Sequence, residues 1–175
     1  ITNAFDIVSL LFMQAGSSIV RIGTDGFYQS SMTEPPLASE RAMTFFTEFA
    51  NPLKPFYAWN RSLPSSKNFF LSGNLGVYFG FASELTDLRL KNPNLNFDVV
   101  AIPQTKDSNR LMTVAEITGL AISRNSQNIA GAFSVADRLT SRPMIEALAG
   151  VTNLPPVRRD SLAIKPTQIY LSVFY

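Results

Sequence analysis

The stretch Phe70-Leu71-Ser72-Gly73-Asn74-Leu75-Gly76-Val77-Tyr78-Phe79-Gly80 changes backbone preference twice within a few residues. Pro64 and Ser65-Ser66 open a helical pattern that runs to about Leu71. Gly73 sits just past its end, where a left-handed backbone meets no Cβ clash. Leu75–Phe79 then reads as a short buried strand, an apolar run bounded by turn residues. Gly80-Phe81-Ala82-Ser83-Glu84 leads out of that strand, and Ser83 is a candidate cap for a helix over 82–90. Helix, buried strand, loop and helix in this order form a building block of α/β chains. In such folds ligands sit beyond the carboxyl ends of strands.

Upstream, residues 3–15 read as a helix. Asn3 is its candidate cap, Asp6 lies in the first turn, and Gly16 is the stop. Its apolar residues nearly encircle it, so burial on more than one side is expected. Residues 17–37 read as irregular, with one short strand at Ser18–Arg21 and a turn at Thr24-Asp25-Gly26. A helix follows over about 38–50. It carries Ala42, Phe45, Phe46 and Phe49 on one face, expected to be core. Pro52 and Pro55 end it, and an aromatic connector covers 56–63.

Downstream, Phe97–Ile102, Leu111–Val114 and Leu120–Ser123 read as further strands around the polar loop Gln104–Arg110. Asn128–Thr140 is an amphipathic helix with Phe133 and Leu139 on its apolar stripe. Arg142–Leu148 follows, ended by Gly150. A helical turn is expected at Asp160–Ala163 and a last helix over 167–175. Interleaved helices and short strands imply an α/β (α+β-like) fold, a small mixed sheet covered by helices.

The chain of 175 residues has the length of one domain. With 46% hydrophobic and 16% charged residues it is a globular composition. No apolar run approaches the roughly 20 residues that span a bilayer. The formal charge is +2, and the basic residues are scattered rather than gathered in a stripe, which argues against nucleic acid. There is no cysteine and no histidine. Disulfides, thiolate metal sites and Ser-His-Asp triads are therefore excluded within this chain, and no metal or other cofactor is expected. A start at Ile1 without Met or signal peptide, and an end inside the apolar stretch Ser172-Val173-Phe174-Tyr175, suggest a piece of a longer protein.

Several segments together resemble extracellular solute-binding protein family 1, the sugar-binding class of ABC-importer capture proteins. The helix ending Phe70-Leu71-Ser72-Gly73 and the strand after it resemble that family's F-x-x-G-K-x-A-M pattern. The departures are Asn74 for Lys, Gly76 for Ala and Val77 for Met. Tyr57-Ala58-Trp59-Asn60 resembles its Y-x-W-N connector, and Asn92 to Gln104 its N-P-x-L-x-F-D-x-x-x-x-P-Q stretch. Thr118 to Ser123 and Ala4 to Gly16 fall in the same order.

The resemblance implies the carboxyl-side lobe of a two-lobed, type II periplasmic-binding-protein-like fold, spanning 1–175 as one domain. The first lobe and hinge segments would lie outside the chain. It further implies non-catalytic capture of an extracellular solute, expected to be a carbohydrate, for an ABC permease. The place would be the periplasm or the outer face of the cytoplasmic membrane, with membrane association only through a lipid anchor or the permease.

The candidate ligand-binding residues follow from that likeness and from sugar chemistry, which pairs aromatic platforms with hydrogen-bonding edges. They are Tyr57, Trp59 and Asn60 in the connector, Gly80, Phe81, Ser83 and Glu84 in the turn, and Glu116 and Thr118 further on. Five of them have an ordinary structural alternative: Trp59 as a staple holding the connector, Phe81 as core, Ser83 and Glu84 as helix-capping groups, Glu116 as a solvent-facing strand position. Asn60-Arg61-Ser62 also matches a glycosylation sequon, a frequent chance pattern. Two other functions remain open. A carboxylate glycosidase or transferase would draw on Glu84, Asp87 and Glu116. An adhesion module would use the apolar first helix.

Overall fold

The computed structural model describes residues 2–35, 37–106 and 111–175. It is a mixture of helices with one small two-stranded sheet, an α/β composition at the coarse level. The chain divides into two compact units. Unit 1 holds residues 1–80 and 102–115, and unit 2 holds 81–101 and 116–175.

Unit 1 is built on α1 (Ala4–Gln14) packed against α2 (Ala38–Glu48). Leu10 and Phe12 of α1 and Ala38 and Ala42 of α2 are buried. The small alanines let the two backbones approach. Asn3 adopts a left-handed backbone, φ 58°, and does not cap α1 with its side chain. Its amide instead donates to the Phe79 carbonyl at 3.2 Å. Gln14 reaches in the same way to the Pro103 carbonyl at 2.9 Å.

Between these helices β1 (Val20–Ile22) pairs antiparallel with β2 (Tyr28–Ser30), Arg21 opposite Gln29. Gly26, φ 79°, turns the chain, and Asp25 Oδ1 accepts the Phe27 N–H at 3.1 Å. Gly23 has a packing reason as well: a Cβ there would meet the Gln29 side chain at 2.5 Å. The expected irregular stretch thus contains a hairpin. Tyr-Gln-Ser lacks the apolar alternation that marks a strand, because all three side chains are exposed.

α3 (Ser66–Leu71) starts at Ser65, whose hydroxyl accepts the Asn68 N–H, and ends before Gly73, φ 76°. Leu75–Phe79, Phe97–Ile102, Leu111–Val114 and Leu120–Ser123, expected as strands, pair in no ladder among the described residues. Two of these regions do show a period of two in their burial. From Leu95 to Val100, and again from Leu111 to Val114, side chains alternate half-buried and exposed. Alternation reports one covered face, whereas a strand also needs a hydrogen-bonded neighbour.

In unit 2 a short 3₁₀ turn, Ala82–Glu84, leads into α4 (Leu85–Lys91), with Leu85 and Leu88 each 6% exposed. Ser83 lies inside the turn and does not cap it. The Glu84 carboxylate accepts the Phe81 N–H at 3.1 Å instead. α5 (Ile129–Leu139) is capped by Asn128, whose Oδ1 accepts the Gly131 N–H at 2.8 Å. α6 (Arg142–Thr152) runs through Gly150 and stops at Asn153, φ 54°. Asn tolerates the left-handed region, so it takes the terminating role expected of the glycine.

α7 (Arg159–Leu162) is tied to α6 through Ser161 Oγ, which donates to Glu146 Oε1 at 3.0 Å, while Arg142 Nε binds the same oxygen at 2.7 Å. Hydrogen bonding from Arg142 and then Ser161 holds the Glu146 carboxyl below its ordinary range. Arg158 grips Asp160 with two nitrogens at 3.0 Å each and lowers that carboxyl likewise. α8 (Ile169–Ser172) closes the unit, with Leu171 buried.

Phe45 and Phe133, expected in the core, are 52% and 65% exposed, and Leu139 is exposed too. The chain keeps 13195 Å² of accessible surface. Its mass of 19.3 kDa corresponds to about 8,500 Å² for one folded body, or about 10,000 Å² for two separate ones. Amphipathic periodicity identified these helix faces, but the described residues do not cover them.

Candidate functional site

In unit 1 the connector after α2 is fastened by its backbone. The N–H groups of Ala58 and Trp59 both donate to the Phe49 carbonyl, at 2.9 and 3.3 Å. A cluster of rings surrounds this anchor. Phe49 meets Phe45 edge-on at 5.2 Å and Phe56 at 5.4 Å, and Phe46 lies 5.9 Å from the half-buried Trp59 ring. Trp59 therefore has the packing of a staple on α2. Asn60 donates to the Tyr57 hydroxyl at 2.8 Å, and its Oδ1 accepts the Ser62 N–H at 2.9 Å. The structure thus brings Tyr57 and Asn60 into direct contact, and local bonds engage both ends of the Asn60 amide. Gly80, in the same unit, is exposed.

In unit 2 Phe81 and Glu84 are joined by the capping bond, both half-buried, with Ser83 exposed between them. Glu116 and Thr118 lie on an exposed run without helix or ladder. Two of the three acids weighed for hydrolysis are engaged in structure: Glu84 at Phe81, and Asp87 with Lys91 one helical turn on, at 3.0 Å. Among the described residues no group of three or more His, Cys, Asp or Glu could hold a metal ion. Nor is any helix long and apolar enough to cross a membrane.

Unit 2 also holds a cleft of about 830 Å³ that the sequence did not single out. Arg89 from α4, Asn96, Phe97 and Asp98 from the segment after it, and Gln168 and Tyr170 at α8 line it. Phe97 and Tyr170 stack at 5.6 Å with their planes 15° apart. The Tyr170 hydroxyl donates to the Phe97 carbonyl at 3.1 Å, which fixes the pair in register. The Arg89 guanidinium lies 5.6 Å from the Tyr170 ring centre, a cation–π distance. An adjoining recess of about 710 Å³ shares Arg89 and Tyr170 and adds Asn92, Asn94 and Asn153.

The cleft is open, with Arg89, Asn96, Asp98 and Gln168 exposed, and its lining combines ring faces with planar amides. The cleft draws on residues more than 70 positions apart, such as Phe97 and Tyr170. Only the asparagines at 92, 94 and 96, alternating along one segment, hinted at it in the sequence. Comparison of the chain with family models, with curated proteins and with solved structures finds no match.

Proposed function

We propose that this chain is the carboxyl-side lobe of an extracellular solute-binding protein with a type II periplasmic-binding-protein-like fold, and that it captures a carbohydrate without chemistry. The observation that carries this reading is the composition of the unit 2 cleft. A sugar offers an apolar ring face and a rim of hydroxyls that both donate and accept. Asn96 and Gln168 supply both functions, Asp98 accepts, Arg89 donates, and Phe97 with Tyr170 supplies ring surface.

Capture would hand the solute to an ABC-type permease at the outer face of the cytoplasmic membrane. The apolar side chains left uncovered on both units suit a lobe that works as part of a larger protein. The connector residues Tyr57, Trp59 and Asn60 form a separate set of candidate contacts. So do Gly80 in unit 1 and Phe81, Ser83, Glu84, Glu116 and Thr118 in unit 2.

The test is an amide-resolved NMR titration with mono- and oligosaccharides, with amino acids and phosphate as controls. Saturable shifts at Asn96, Phe97, Gln168 and Tyr170 with one sugar class are expected. Shifts there with amino acids but with no sugar would overturn the carbohydrate reading. Turnover of a chromogenic glycoside would overturn the non-catalytic one.

A further inference from the structure

We propose that the ligand of the unit 2 cleft is an acidic sugar, a monosaccharide or short oligosaccharide whose carboxylate pairs with Arg89. This deepens the carbohydrate reading above and rests on it. Arg89 lines both the cleft and the adjoining recess. It makes no ion pair among the described residues, although acids are close in sequence. Asp87 pairs with Lys91 instead, at 3.0 Å. Asp98, which shares the cleft, turns Oδ1 to the Val99 N–H at 2.8 Å.

Among the described residues the guanidinium's partner is the Tyr170 ring, at 5.6 Å. That contact orients the planar group without neutralising it, so its donors remain for a ligand. A guanidinium in a cleft matches a carboxylate with two parallel bonds, which a neutral hydroxyl cannot return. The amides of Asn96 and Gln168 are suited to the hydroxyls of the same ring. Asp98 then disfavours any ligand whose negative charge lies at the wrong end, which gives the site a direction.

The experiment compares matched pairs that differ only at one carbon: glucuronate with glucose, galacturonate with galactose, mannuronate with mannose. Each is titrated into the full chain by calorimetry, with NMR shifts at Asn96 and Gln168 locating the site. At least one acid is expected to bind about tenfold or more tighter than its neutral partner, and raised salt should weaken that advantage. Arg89→Gln should abolish the advantage, weakening the acid far more than its neutral partner. Arg89→Lys should keep only part of it, because the fork is lost and the charge stays.

Equal affinity for acid and neutral sugars would overturn the acidic class and leave the carbohydrate reading standing. An acid preference that survives in Arg89→Gln would overturn the role of Arg89. Cleft shifts with none of the six sugars would overturn this proposal and the carbohydrate reading together. Circular dichroism of both variants separates lost binding from lost folding.

Discussion

Two regions rich in aromatic rings, one in each unit, differ in what surrounds them. In unit 1, Phe49 contacts Phe45 and Phe56, Phe46 contacts Trp59, and the Phe49 carbonyl anchors the connector backbone at Ala58 and Trp59. In unit 2, Phe97 and Tyr170 form a single stacked pair bordered by a guanidinium, a carboxylate and amides. Rings among rings hold a connector to a helix. Rings among polar groups make a wall against which a polar ligand can be oriented. Aromatic density alone therefore does not mark a site; the polar groups at its margin do.

The largest test of this contrast is Phe49→Ala. It removes two ring contacts beside the connector anchor and should cost about 2–3 kcal/mol, the low end for a large side chain since Phe49 is half-buried. Denaturant unfolding measures it. A loss under about 0.5 kcal/mol would mean the cluster supports nothing. Tyr170→Ala should act the other way round, lowering ligand affinity about tenfold, near 1.4 kcal/mol, with a smaller loss of stability. If stability falls and affinity does not, the unit 2 pair is packing only.

Tyr170→Phe keeps the ring and deletes the bond to the Phe97 carbonyl. About 0.5–1.5 kcal/mol of stability should go with it, read by thermal melting. Trp59 fluorescence sharpens the other half of the contrast. With its ring 5.9 Å from Phe46, a Trp59 that serves as scaffold does not respond to sugars, and a saturable change would make the connector part of the site.

The smallest effect concerns α6 and α7. Glu146 and Asp160 have carboxyls lowered by Arg142 and Arg158. Groups with lowered folded values add stability above the unfolded carboxylate range, and lose it as pH falls through the folded value. Acidification below about pH 4 should thus lower the melting temperature slightly, and Glu146→Gln should remove part of that dependence. The exposure of these pairs keeps the effect small.

Helices were legible in the sequence because period and punctuation agree: Ser65, Asn128 and Gly73 each do locally what their residue types do elsewhere. Termini were less legible where two residues compete, as when Asn153 rather than Gly150 stops α6. The apolar run at 97–102 announced a covered face, but nothing local says which backbone a strand pairs with; the run at 75–79, expected to be buried, leaves Val77 and Phe79 exposed. The candidate residues in the connector and turn follow from the family likeness and sugar chemistry, which say nothing of contacts made across the chain. The cleft joins Arg89, Phe97 and Tyr170, whose proximity is a property of the folded chain.

The order of the chain through its two units has a practical consequence. The backbone passes from one unit to the other after Gly80, after Ala101 and after Ala115, so neither unit is a contiguous stretch. No single truncation isolates either of them. A shortened gene ending at Ala101, for example, would keep Phe97 and lose Tyr170, dividing the ring pair between what is expressed and what is not. Only a rearranged chain, with 81–101 joined to 116–175 by a new linker, would show whether the cleft-bearing unit stands by itself.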